Sequence, residues 1–144
     1  MPLIFIAPIL SGLIAQSIKF FIKTNKQKFS FKNFVAYSGM PSGHSAMVVS
    51  LAVIIGLDQG WHSPLFAVGV ILAIIVIRDA LGIRRYLGKH GKILNILIKD
   101  LGDDKMLDES YPHLLEKIGH TPAQVLVGSA IGSLVSLILF YLYI

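Results

Sequence analysis

Three apolar runs limit what this chain can become: Pro2 to Ile22, Pro64 to Ile77, which extends to Ile83 across the Arg78-Asp79 pair, and Pro122 to Ile144. A helix crosses a hydrocarbon core with about 20 residues, so each run, with that extension, counts as a membrane span. A fourth run, Ala46 to Leu57, is short. It has to start within the polar residues before it, lean on its neighbours, or fail to span. Apolar residues make up 54% of the 144 and charged residues 15%, in a chain with the length of one ordinary domain. The expected fold is an all-α integral membrane bundle, a single domain over residues 1–144 with about four transmembrane helices plus an interfacial helix.

The first run lacks the basic start and small-residue cleavage site of a secretory signal, and reads as a retained helix. Cysteine is absent, which removes disulfides and thiolate metal sites. No internal repeat or low-complexity segment is present.

Positive residues in short loops are held on the cytoplasmic side during insertion. Lys23, Lys26, Lys28 and Lys32 follow the first run, and Lys19 lies near its end. The segment from Asp58 to Ser63 has no Lys or Arg, whereas Gly82 to Thr121 carries Arg84, Arg85, Lys89, Lys92, Lys99, Lys105 and Lys117. With four spans every Lys and Arg falls on one side, so the basic loops are expected in the cytoplasm and both termini opposite. Most of these charges are expected to set topology and meet anionic headgroups.

Polar and flexible residues concentrate at three places on that side. Gly39 to Ala46, GMPSGHSA, turns the chain into the second span. Met40-Pro41 reads as an extended entry and Ser42 as a helix cap, with the backbone N–H groups of Gly43, His44 and Ser45 at the helix start. Such a terminus attracts phosphate, and His44 titrates near neutrality, as a proton donor must. Gly119 to Gly132, GHTPAQVLVGSAIG, repeats the arrangement: His120 precedes a Thr121-Pro122 helix start, with Gln124 four residues later. Gly128 and Gly132, with Ser129, Ser133 and Ser136, form a small-residue stripe that reads as helix packing. Ile77 to Lys92 ends the third run with Arg78, Asp79, Arg84 and Arg85, and Asp79 reaches Arg84 or Arg85 if the chain bends at Gly82. Tyr86 to Lys99 mixes apolar residues with lysines as an interfacial helix does, and Asp100 to Glu109 reads as an acidic solvated loop. Two histidines at separate helix starts, guanidinium groups and a lysine, without a metal-binding set of carboxylates, suit phosphoryl transfer.

These residues resemble a known superfamily, that of the type-2 phosphatidic acid phosphatases and vanadium haloperoxidases. Pro-Ser-Gly-His at 41 to 44 is similar to its second signature, and His120 with the following V-x-x-G to its third. The resemblance is closer to the divergent small-membrane-protein branch, in Ala15-Gln16-Ser17-Ile18-Lys19, Gly39 to Ala46, Asp79 to Arg85 and Gly119 to Gly128. It implies His120 as nucleophile and His44 as general acid, with Lys19, Ser42, Gly43, Arg78, Arg84 and Arg85 at the phosphate and Asp79 and Gln124 orienting. It implies no metal and no cofactor. The implied partners are a lipid phosphate substrate and membrane lipids, with no nucleic acid; the small-residue helix faces are a candidate surface for a second copy.

The chain departs from the wider superfamily at three points. Lys26-Gln27 stands where Arg-Pro is usual, Leu114 where an arginine precedes the nucleophile, and Gln124 where an aspartate orients it. An amide can orient an imidazolium but cannot neutralise it. Two functions therefore stand at this point: a metal-independent phosphatase of a lipid phosphate or diphosphate, and a non-catalytic membrane protein that binds anionic headgroups or a partner. A CDP-alcohol phosphotransferase, suggested by Asp79 near Arg84, lacks the further aspartates it needs.

Overall fold

In a hydrocarbon medium every backbone N–H and C=O has to be satisfied inside the chain, which leaves the helix as the form for long apolar runs. The computed structural model describes residues 2–22, 39–101, 113–116 and 118–143, and their regular structure is helical throughout. Residues 23–38, 102–112 and 117 lie outside the described residues, and with them the expected lysine-rich loop and the expected acidic loop from Asp100 to Glu109, apart from its first two residues, which are helical.

Among the described residues five helices occur in this order: α1 (Leu3–Phe21), α2 (Gly43–Gln59), α3 (Pro64–Leu81), α4 (Ile83–Leu101) and α5 (Pro122–Tyr143). Their starts follow local chemistry. Ser42 Oγ accepts from Ser45 N at 3.3 Å to cap α2, and Ser63 Oγ accepts from Phe66 N at 3.2 Å to cap α3, whose first residue is Pro64. α2 stops at Gly60, whose φ of +89° suits glycine. α3 breaks from α4 at Gly82, where φ is −105° and ψ −92°.

Among the described residues three helical stretches are long and apolar enough to cross a membrane: Leu3–Phe21, Pro64–Lys99, which counts α3 with its continuation into α4, and Pro122–Tyr143. The fourth expected span, α2, has 17 residues, about 26 Å at 1.5 Å per residue. It compensates by position, packing against α1, α3 and α5, with Ser45, Ala46, Ser50, Ala52, Ile54 and Ile55 buried. α4 is amphipathic, exposing Ile83, Leu87, Leu94 and Leu97 beside its lysines.

Small residues line the inside of the bundle and large apolar residues its outside, the distribution suited to a lipid surround. Phe5, Val68, Ile71, Ile75, Leu126 and Leu142 are exposed, while Ala7, Ser11, Ala15, Ala46, Ser50 and Ser136 are fully buried. Gly128 and Gly132 of α5 lie against the backbone of Ser42 and Ala46, where any β-carbon would overlap a carbonyl oxygen. Farther along this seam Ser136 donates to Ser50 O at 3.0 Å, and the two hydroxyls are 2.7 Å apart. The face of α5 that carries Gly128 and Gly132 is thus filled within the chain by α2.

Leu3, Ala7 and Ile54, with Ile4, Leu139 and Phe140, form an apolar cluster where α1 begins and α5 ends. At the other end of the bundle, the last turns of α1 and α3 meet the first turns of α2 and α5, and there the polar motifs gather.

Candidate functional site

Backbone hydrogen bonds tie the three motifs together. Ser42 N donates to Gln124 O at 3.0 Å, which joins the α2 entry to the first turn of α5. That approach depends on Gly128, since a side chain there would occupy the place of the Ser42 peptide. His120 N donates to Ala80 O at 3.0 Å, in the last turn of α3 just before the break at Gly82. Gly119, with φ +89°, lets the chain pass Arg85, whose backbone nitrogen would be 2.8 Å from any β-carbon at that position.

An extended strap delivers His120 to this place. Residues 113–116 and 118 lie along α4 over Gly88 and Gly91, where a β-carbon would lie 2.5 Å from Glu116 O or 3.0 Å from Leu115 O. The Asn95 side chain imitates a peptide group toward the strap, accepting from Leu114 N at 3.0 Å and donating to Leu114 O at 2.9 Å. Gly88, Gly91 and Asn95 share one face of α4 by helical spacing. Sequence reasoning missed this groove, although the spacing of its two glycines was legible.

His120 itself is 3% exposed, and neither ring nitrogen has a hydrogen-bond partner among the described residues. Burial, and then the positive charges of Lys19, His44 and Arg84, push its pKa down from 6.5 to about 4. The imidazole is therefore neutral at pH 7, and the charges that act on it come from α1, α2 and α4. Lys19 is buried in the last turn of α1. His44 is exposed in the first turn of α2 and faces a cleft of about 240 Å³ lined also by Ile9, Gly12, Leu13, Gln16, Gly43 and Met47. Arg84 reaches back past Gly82 to Asp79, Nε to Oδ2 2.5 Å, as the expected bend requires.

Other expectations are corrected. Gln124 does not orient His120. Its Oε1 accepts from Thr121 N at 2.8 Å while its own N–H donates to Thr121 Oγ at 3.4 Å, a reciprocal box that caps α5. The Thr-x-x-Gln spacing carried that signal. Ser42 spends its hydroxyl on the α2 cap, accepting also from Ser45 Oγ at 2.9 Å, which leaves Gly43 as the member of the pair that lines the cleft. Asp79 is engaged by Arg84, whose positive charge acts on His120. Arg78 and Arg85 are both exposed, and Arg78 stands on the α3 face opposite the buried Ala73 and Ala80. Met40-Pro41 is a cis peptide bond. Gln16, quoted in the first motif without a role, lines the cleft and buries an Oε1 that has no partner among the described residues.

Residues 2–135 match the family described as the divergent PAP2 family. An uncharacterized membrane protein of Bacillus subtilis (strain 168), YuiD, is 35% identical over 152 residues, covering 94% of this chain and 95% of that protein. No solved structure matches the chain. With its apolar helices and this match along nearly its whole length, the chain is an integral membrane protein and belongs to the divergent PAP2 family.

Proposed function

We propose that this protein is a metal-independent phosphatase of a lipid phosphate or diphosphate, working at the cytoplasmic interface with His120 as nucleophile. The observation that carries the reading is His120 itself: a buried, neutral imidazole with both nitrogens unpartnered among the described residues, in the field of Lys19, His44 and Arg84. A nucleophile must be unprotonated and its lone pair unused, and a phosphate must be met by cations. A buried histidine kept for packing alone leaves polar atoms unsatisfied at a penalty of about 1–3 kcal/mol.

In this mechanism a ring nitrogen of His120 attacks phosphorus, and the bond from phosphorus to the lipid oxygen breaks. His44, exposed at the cleft, takes up a proton beside the bound phosphate anion and gives it to that oxygen. Water, deprotonated by the same imidazole, then opens the phosphohistidine and regenerates both histidines. Lys19, Arg84 and the first-turn amides of α2 bear the charge on the phosphoryl oxygens. Arg84 takes the part of the arginine replaced by Leu114, whose segment is held on Asn95. The backbone bond from His120 to Ala80 and the turn at Gly119 orient the ring in place of the usual aspartate.

The test is phosphate release from a panel of lipid phosphates and diphosphates by the purified protein in EDTA, with His120→Ala, His44→Ala and Arg84→Ala. His120→Ala abolishes release and keeps headgroup binding; His44→Ala is milder for substrates with good leaving groups; Arg84→Ala weakens binding and turnover together. Binding without release from any substrate, equal in His120→Ala, favours the non-catalytic headgroup-binding protein.

A further inference from the structure

Arg78 was expected at the phosphate and stands elsewhere, so its surroundings need their own account. It lies on the outer face of α3, two residues and therefore about 200° around the helix from Ala80, whose carbonyl holds His120. The same face carries Ile71, Ile74 and Ile75, exposed by 57%, 54% and 60%, and so meets lipid. Asp79, the carboxylate next to Arg78 in sequence, is held by Arg84. Among the described residues no ion pair engages Arg78. A guanidinium at the edge of an apolar span is expensive unless an anion answers it.

Beside it the bend at Gly82 opens a notch of about 450 Å³ between α3 and α4, walled by Ile74, Ile77, Arg78, Leu81, Gly82 and Tyr86. Tyr86 is exposed and brings a hydroxyl, and Lys89 Nζ lies 5.4 Å from the centre of its ring, adding a second positive charge. Cations and a phenol therefore stand at one rim, and isoleucine and leucine line the wall that runs toward the membrane interior.

We propose that this notch binds an anionic phospholipid, its headgroup phosphate on Arg78 and Tyr86 with Lys89 close by, and its acyl chain along Ile74 and Ile77. Charge complementarity selects the anion, and the apolar wall selects one carried on a chain over free phosphate. The site is separate from the histidine cluster and stands whether or not that cluster hydrolyses phosphate. The bound lipid would touch α3 at the level where Ala80 supports His120, on the far side of the helix.

The experiment uses the full chain in phosphatidylcholine vesicles containing a small fraction of photoreactive phosphatidylglycerol, with labelled peptides mapped after irradiation. Label falls on the segment from Ile74 to Tyr86. Arg78→Gln reduces it about fivefold, the equivalent of ~1 kcal/mol for one basic side chain at an anionic surface. Arg78→Lys retains most of it, and Lys92→Gln, a charge loss elsewhere on α4, leaves it unchanged. Ile77→Trp, which fills the notch without touching charge, reduces it as Arg78→Gln does, and circular dichroism verifies the helix content of each variant. Excess inorganic phosphate does not compete. Equal labelling in Arg78→Gln and wild type, equal labelling by photoreactive phosphatidylcholine, or displacement by inorganic phosphate overturns the proposal.

Discussion

Gly128→Ala tests the seam on which the site is built. A β-carbon at position 128 overlaps the Ser42 carbonyl oxygen and lies 3.1 and 3.2 Å from that residue's carbonyl carbon and amide nitrogen. These are backbone atoms at the cap of α2, so no side chain can swing aside and the two helices must part. Overpacking of this kind costs about 1–3 kcal/mol. Parting also stretches the 3.0 Å bond from Ser42 N to Gln124 O, worth a further ~1 kcal/mol. The expected loss is therefore ~2–4 kcal/mol, measured by equilibrium unfolding in mixed micelles followed by circular dichroism. Leu126→Ala, at a position 70% exposed on the outer face of the same helix, serves as the control and changes little. Stability of Gly128→Ala within about 0.5 kcal/mol of wild type would refute the packing argument and its view of how the two histidine motifs are joined.

Removing both hydroxyls of the Ser50–Ser136 pair should show a coupling of ~0.6 kcal/mol in a double-mutant cycle, as interhelical polar contacts in lipid do; additive effects would mean the pair is not formed. Thr121→Val should destabilise α5 by ~1 kcal/mol while Gln124→Glu, which preserves the reciprocal cap, is tolerated. If Gln124→Glu instead changes the His120 titration while Thr121→Val leaves stability unaltered, the amide orients the imidazole after all. For pH, the unfolded chain takes up the His120 proton below about 6.5, whereas the folded chain refuses it until about 4. Stability therefore falls as pH drops through that window, by up to roughly 3 kcal/mol from this group, and the slope should be shallower in His120→Asn; an identical slope in the variant would assign it to other groups.

What the sequence disclosed was set by the range over which each signal acts. Apolar runs, Pro-Ser and Thr-Pro helix starts and the bend at Gly82 are local, and they placed α1, α2, α3 and α5 and brought Asp79 to Arg84. The direction of a side chain around a helix also follows from spacing: Ala73 and Ala80 mark the inward face of α3, and Arg78, which the resemblance puts at the phosphate, falls on the opposite side. Gln124 was assigned to the histidine four residues before it, and the Thr121 cap three residues before it competed more strongly because its N–H is an orphan of the helix start. The strap on Gly88, Gly91 and Asn95 was hidden for a different reason. It joins residues 18 or more positions apart in the chain, and a peptide-like contact of Asn95 with Leu114 has no periodicity to announce it.

The central claim is that His120 forms a bond to phosphorus. The direct measurement is mass spectrometry of peptides from the purified protein, mixed with a radiolabelled lipid phosphate in EDTA and quenched at alkaline pH, where phosphohistidine survives. The account predicts transient label on the peptide carrying His120, present in wild type and His44→Ala and lost in His120→Ala. Sustained phosphate release by the wild type with no label on that peptide at any time, or undiminished release by His120→Ala, would contradict it.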